Sequence, residues 1–133
     1  MNTIYEHEDY LGADEYIDIT RKSGLIRPIE DRGRVERMLA HANLILTARQ
    51  DGRLVGFARS LTDFCFCCYL SDLAVDTACQ GQGIGKRLIE ETRKAAGGDL
   101  TTTLLLSAPT AMTFYQGIKM PHADNCFLYR RSK

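Results

Sequence analysis

Apolar positions change their period several times along the chain, and each change marks an element. Tyr5 to Glu8 reads as a short first strand, after which Ala13, Tyr16, Ile17 and Thr20 share one face of a helix over Leu11 to Lys22. Val35, Met38, Leu39 and Ala42 recur at helical spacing and give a second helix. Two strand-like runs, Leu44 to Arg49 and Arg53 to Ser60, flank Asp51-Gly52, a dipeptide suited to the positive-φ turn of an antiparallel hairpin. A third strand is predicted over Phe64 to Val75. Helical period returns with Ile84, Leu88, Ile89, Thr92 and Ala96, set against a face of Lys86, Glu90, Glu91, Arg93 and Lys94, and Gly97-Gly98 ends it. Thr101 to Leu106 reads as a buried strand, Thr110 to Gln116 as a short helix that Pro109 helps to start, and Cys126 to Arg130 as a last strand. Helix and strand signals alternate with no repeat, low-complexity tract or linker, so one mixed α/β layer structure follows.

Composition narrows this picture. A chain of 133 residues, 44% hydrophobic and with zero formal net charge, suits one domain with a real core. The charge balance gives no general surface for nucleic acid or membrane. The longest apolar run, Phe64 to Leu70, is far too short to span a bilayer, and no basic stretch followed by an apolar run opens the chain. The expectation is a cytoplasmic protein. Five cysteines, an odd number, argue against a disulfide framework. Cys65, Cys67 and Cys68 are expected as small buried hydrophobes of the third strand and Cys79 as a filler residue; Cys-x-Cys-Cys with no second cluster is no metal signature, and no metal is expected.

The chemistry is concentrated between residues 72 and 96, where an apolar strand, a glycine-rich turn and an amphipathic helix follow one another. Gly81, Gly83 and Gly85 permit close backbone approach and positive φ, and the helix behind them offers unpaired N–H groups and the positive end of its dipole. A phosphate or pyrophosphate is the natural guest. The spacing is not that of a P-loop, since Gln80 stands where the first glycine belongs and Arg87 where Ser or Thr would bind magnesium. Nor is it G-x-G-x-x-G, because the glycines alternate.

What remains is Gln-x-x-Gly-x-Gly, formed by Gln80, Gly83 and Gly85 after a strand ending Leu73-Ala74-Val75. This resembles the acetyl-CoA loop of the GNAT N-acetyltransferases. A second match supports it: Leu104-Leu105-Leu106-Ser107-Ala108-Pro109 leads into a short helix with Phe114-Tyr115, like the strand and aromatic-Tyr pair of that family. The resemblance runs from about residue 43 to 129. It implies one domain over residues 1–133 with an α/β fold, a mixed, mostly antiparallel central sheet flanked by helices.

The resemblance also implies roles. Backbone N–H groups of Gly81, Gln82, Gly83, Ile84, Gly85 and Lys86, with Gln80 before them, would hold the pyrophosphate of acetyl-CoA. Leu73, Ala74 and Val75 would pair with its pantetheine arm as with an added strand, and an N–H near Val75 would polarise the thioester carbonyl. Tyr115 would lie beside the sulfur and act as the acid. Asp72, next to the cofactor strand, is the candidate base, with a water relay as the alternative. Tyr69 stands where some members carry a carboxylate base. His7, His41 and His122 are isolated and receive no role. The chain departs from the family pattern at Lys119, where a glycine is usual, at Cys79, and in an absent asparagine near Ala108.

The implied activity is acetyl transfer from acetyl-CoA to a primary amine, a small molecule being the expected acceptor. A non-catalytic acyl-CoA-binding sensor or interaction domain is the alternative, and a nucleotide- or other phosphate-binding protein the third reading. Glu6, Glu8, Asp9, Asp14, Glu15 and Asp18 form either an acidic mouth for a cationic amine or a solvated face; Arg21, Lys22, Arg27, Arg32, Arg34 and Arg37 either pair with them or receive an anionic substrate. A homodimer is expected through the edge of the strand at 126 to 130.

Overall fold

The computed structural model describes residues 2–133 and contains a five-stranded sheet in the order β1-β2-β3-β4-β5. The strands are β1 (Thr3–His7), β2 (Leu44–Gln50), β3 (Arg53–Thr62), β4 (Cys67–Val75) and β5 (Thr102–Leu104); the helices are α1 (Ala13–Ser23), α2 (Arg32–His41), α3 (Ile84–Ala95) and α4 (Met112–Gly117). The first four strands run antiparallel and β5 lies parallel to β4. Asp51 and Gly52 both have positive φ, 52° and 79°, so the β2–β3 turn is the one their dipeptide favours.

Both faces of the sheet are covered, so β2 and β3 are buried along almost their whole length. Leu44, Leu46, Val55, Ala58 and Leu70 meet Ile84, Leu88 and Ile89 of α3 on one face. On the other, Ile45, Leu54, Phe57 and Ala74 meet Tyr16 and Ile19 of α1 and Val35 of α2. Gly56 lets α3 settle close to the sheet: a Cβ there would lie 3.3 Å from Leu88 and 3.0 Å from the Ala74 carbonyl.

One irregularity governs the rest of the molecule. The β3–β4 register passes from Arg59 opposite Asp72 to Ser60 opposite Leu70, leaving Ser71 as an extra residue in β4. A one-residue insertion exchanges the faces of everything beyond it. Cys68 and Leu70 therefore point to the α3 side, whereas Asp72 and Ala74 point to the α1 side, and Leu73 and Val75 turn back toward α3.

Four sequence expectations are corrected. The strand at 64 to 75 begins only at Cys67, because Asp63 Oδ1 accepts the N–H groups of Cys65, Phe66 and Cys67 at 3.0, 2.8 and 3.0 Å and bends the chain there. Of the three clustered cysteines only Cys68 is buried; Cys65 and Cys67 are exposed at this turn and strand start. The strand at 101 to 106 is reduced to Thr102–Leu104 and is only partly covered, since no strand flanks its outer edge among the described residues. The segment 126 to 130 is not a strand: among the described residues none pairs with it as a strand, and the Phe127 and Tyr129 side chains stand in solvent. An apolar run becomes a strand only where a neighbour supplies hydrogen bonds and a face to cover.

Candidate active site

β4 and β5 pair at Cys67–Thr102, Cys68–Thr103 and Tyr69–Leu104 and then part, so from Leu70 to Val75 the outer edge of β4 has no strand beside it among the described residues. A cleft of about 630 Å³ opens there. Its floor is Leu73 and Val75, its far wall Ala108, Thr110, Ala111, Phe114, Tyr115 and Ile118, and its near wall the turn after α1, Ser23 to Arg27. The glycine loop closes one end.

That loop is built for an anion. Gly81 and Gly83 have φ of 84° and 78°, conformations that L side chains rarely adopt, and the space a Cβ would fill at either is open. Gly83 is the N-cap of α3 and no side chain caps the helix. The first helical bond is from Arg87 N to Gly83 O, which leaves the N–H groups of Ile84, Gly85 and Lys86 unpaired at the positive end of the dipole. Gly85 serves differently from its neighbours. It is helical, and a Cβ on it would come within 2.9 Å of Phe114 Cζ, so its small size lets α4 approach α3. The Gln80 amide donates to the Val75 carbonyl at 3.3 Å, tying the loop to the end of β4.

Of the residues expected to bind the cofactor, the fold brings Leu73, Val75, Gln80, Gly81, Gly83, Ile84, Gly85, Lys86 and Tyr115 together around the cleft. Ala74 faces the opposite core, and Gln82 turns away to accept a hydrogen bond from Gln50 at 3.0 Å. Tyr115 packs edge-on to Phe114, with centroids 5.0 Å apart. Burial raises the pKa of the Tyr115 phenol above the ordinary tyrosine value, a rise the nearby Arg27 charge partly offsets.

Asp72 is the expectation that the structure corrects. Its side chain is fully buried on the far face of β4, where Arg59 Nε donates to Oδ2 at 2.6 Å, Arg27 Nε to Oδ1 at 2.7 Å, and the Tyr16 hydroxyl to Oδ2 at 2.7 Å. Burial pushes the Asp72 carboxyl up, but the Arg59 hydrogen bond and the two guanidinium charges outweigh it and hold the group below the ordinary carboxylate range. A carboxylate so held, with no face on the cleft, does not take a proton from an amine bound there. Ser71, the bulged residue, is what turns Asp72 away.

The acidic N-terminal region does not form a mouth to this cleft. Glu8 and Glu15 both clasp Arg49, Asp14 pairs with Arg32 at 2.6 Å and Asp18 with Lys22 at 3.0 Å. Among the described residues no Asp, Glu or His lines the cleft, and its charged side chains are Arg27 and Lys86.

Reasoning from sequence missed the near wall. Arg27 bridges it to β4, its Nη2 donating to the Ser71 carbonyl at 2.7 Å, and Gly24 reverses the chain after α1 with φ of 81°. The signal for this turn was Ser23-Gly24 at the end of a helical pattern. Nothing local tied Arg27 to a strand forty-odd residues away. Lys119, where the family pattern has a glycine, takes φ of 61°: its N–H bonds Gln116 O and that of Met120 bonds Tyr115 O, the Schellman closure of α4.

A mostly antiparallel sheet that parts at β4 and β5, with an uncapped helix N-terminus at the mouth of the opening, is the architecture of the GNAT acyl-CoA N-acyltransferases. The chain belongs to the GNAT acetyltransferase family: the family's acetyltransferase (GNAT) domain model matches residues 26–118. An uncharacterized N-acetyltransferase, ycf52, of Porphyra purpurea is 32% identical over 98 residues, 68% of this chain and 53% of that protein. The chain spans between 27% and 57% of the length of the curated relatives it matches. Among solved structures, a GNAT-family acetyltransferase of Streptococcus pneumoniae superposes with a TM-score of 0.78 at 17% identity, covering 99% of this chain and 100% of that one. The aminoglycoside N-acetyltransferase AAC(6')-Iy in complex with CoA gives 0.73 at 14% identity, covering 99% and 96%.

Proposed function

We propose that the protein transfers the acetyl group of acetyl-CoA to a primary amine of a small molecule by direct attack. The observation that carries this reading is the unpaired edge of β4 running from the glycine loop into a cleft walled by Tyr115. In this scheme the N–H groups at the start of α3, with Lys86, hold the pyrophosphate, and the open β4 edge at Leu73 to Val75 pairs with the pantetheine arm. The amine nitrogen attacks the thioester carbonyl, the C–N bond forms and the C–S bond breaks. Tyr115, kept protonated by burial, gives its proton to the departing thiolate and is reprotonated from solvent. The proton lost by the amine goes to water, because neither a carboxylate nor a histidine lines the cleft among the described residues. The AAC(6')-Iy complex with CoA supports the choice of cosubstrate by fold.

Calorimetric titration with acetyl-CoA, with ATP and NAD as controls, tests the cofactor assignment, and an amine screen read by thiol release tests turnover. Selective acetyl-CoA binding with release supports the enzyme. Selective binding without release from any amine identifies a non-catalytic acyl-CoA sensor, and equal binding of ATP leaves only a phosphate loop. We also propose a homodimer: residues 126–130 form no strand edge for it, and the exposed Leu104, Leu106 and Phe127 beside the β5 edge supply apolar surface instead; a monomer in sedimentation at working concentration removes it.

A further inference from the structure

The two guanidinium groups on Asp72 leave a surplus of positive charge behind the cleft. Arg27 and Arg59 share the one carboxylate, and Tyr16, whose hydroxyl donates to it, is neutral. Arg27 uses three N–H groups on Asp72 Oδ1, the Ile26 carbonyl and the Ser71 carbonyl, at 2.7, 2.6 and 2.7 Å. A guanidinium has five N–H donors, so two have no partner among the described residues, and this side chain lines the cleft. Its attachment at Ser71 fixes where it lies. Four residues of strand separate Ser71 from Val75, where Gln80 ties on the glycine loop, and at ~3.3 Å per residue that is ~13 Å along β4. A cosubstrate anchored at the loop and running down the open strand edge brings its acyl end toward Arg27. With no acid on any wall of the cleft among the described residues, a polycationic acceptor meets only like charge from them.

We propose that the acceptor carries a carboxylate beside its amine, and that the two free N–H donors of Arg27 hold that carboxylate while the amine faces the thioester. The planar fork of arginine suits this: Asp72 and the Ser71 carbonyl fix its orientation, so it is organised before the acceptor arrives. The surplus positive charge has a second effect, since it disfavours the ammonium form of a bound amine and so favours the nucleophilic neutral form where no carboxylate base is present.

This inference rests on the acetyltransferase reading, and the test separates the two. Initial rates of thiol release from acetyl-CoA are measured with acceptor pairs that differ only in the carboxylate, such as phenylalanine against phenethylamine and 4-aminobutyrate against butylamine, with an aminoglycoside alongside. The carboxylate-bearing member is expected to have the higher kcat/KM by tenfold or more. In Arg27→Gln that ratio falls toward one, and in Arg27→Lys, which keeps the charge but loses the fork, it falls part of the way; circular dichroism and acetyl-CoA titration check that each variant is folded. Preference for the neutral amine or the aminoglycoside in the native protein overturns the proposal without any variant, as does a carboxylate preference that survives in folded Arg27→Gln. Failure of the native protein to bind acetyl-CoA or to release thiol with any acceptor overturns the acetyltransferase reading, and this inference with it.

Discussion

Asp72→Asn separates a structural carboxylate from a catalytic one. The substitution keeps the shape of the side chain and removes its charge, leaving Arg59 and Arg27 side by side with no counter-ion in a place where Arg59 is only 7% exposed. Breaking a buried pair by removing one partner costs about 3–5 kcal/mol. The asparagine carbonyl still accepts one hydrogen bond and Arg27 has a route to solvent, so the lower figure, about 3 kcal/mol, is expected. Against a total stability of roughly 7–20 kcal/mol for a domain of this length that is a large share. With an unfolding entropy of about 0.28 kcal/mol per degree for a chain of this size, Tm falls by about 10 °C.

The assay is thermal unfolding followed by circular dichroism, paired with thiol release measured well below the Tm of the variant. The expected outcome is a lowered Tm with the shape of the pH–rate profile unaltered. The Tm gap between native protein and variant also depends on pH in a defined sense. Folded Asp72 titrates below its unfolded value, so its contribution is complete above the unfolded carboxylate range and is lost as pH falls through the folded value; the gap closes in acid. A Tm within about 2 °C of the native protein, together with loss of the acidic limb of the rate profile, would refute this reasoning and restore Asp72 as the base.

Gly83→Glu puts a side chain and a negative charge where the loop needs positive φ and an open face, and calorimetry should find coenzyme A binding abolished; retained binding would show that the anion site lies elsewhere. Gly85→Ala must push the Phe114 ring back by roughly 0.7 Å to reach ordinary contact. The helix-propensity gain of about 1 kcal/mol offsets the crowding, so Tm should barely move while kcat drops through the displaced Tyr115; the reverse pattern would mean that the ring yields without consequence. Lys119→Gly relieves a left-handed residue and should raise stability by about 1 kcal/mol, near 3–4 °C in Tm; a lower Tm would mean that the lysine side chain makes a contact worth more than the strain. Tyr115 is raised above the ordinary tyrosine value, so activity that depends on its proton should persist through neutral pH and fall only as pH rises past that raised value. Tyr115→Phe should bind acetyl-CoA but turn over slowly and without that alkaline limb.

How much of this was legible in the sequence depends on how far apart the determining residues lie. The glycine loop, the Asp51-Gly52 hairpin and the amphipathic α3 are each fixed by neighbours within a few positions, and each stands where the pattern put it. At the end of the short helix the sequence left the turn open between Gly117 and Lys119, and the structure places it at Lys119, where the Schellman closure involves only the last turn of that helix. Cys126 to Arg130 shows the limit. Its run of Cys, Phe, Leu and Tyr is as apolar as many buried strands, but an apolar run states what a segment would bury and not whether a neighbour exists. Gly85 illustrates a different gap: the motif identifies the glycine, while the Phe114 ring that requires it belongs to an element almost thirty residues on.

The misplacement of Asp72 has a single cause, and the same cause makes the site. In a regular strand Asp72 would share a face with Leu70, toward α3 and the cleft, which is where a base was expected. Ser71 adds one residue, and four consequences follow together. Asp72 is carried to the α1 face and into the hands of Arg59 and Tyr16; Leu73 and Val75 are turned onto the cleft floor; the Ser71 carbonyl receives Arg27; and Arg27, held from both Asp72 and Ser71, becomes part of the near wall. Bulges have no local composition signal, since Ser71 fits a regular strand equally well, and only the facing registers of β3 reveal the extra residue. The acid that sequence reasoning assigned to proton transfer therefore acts one step back: it fixes the orientation of the arginine that faces the cleft, and it does so only because the strand carries one residue too many.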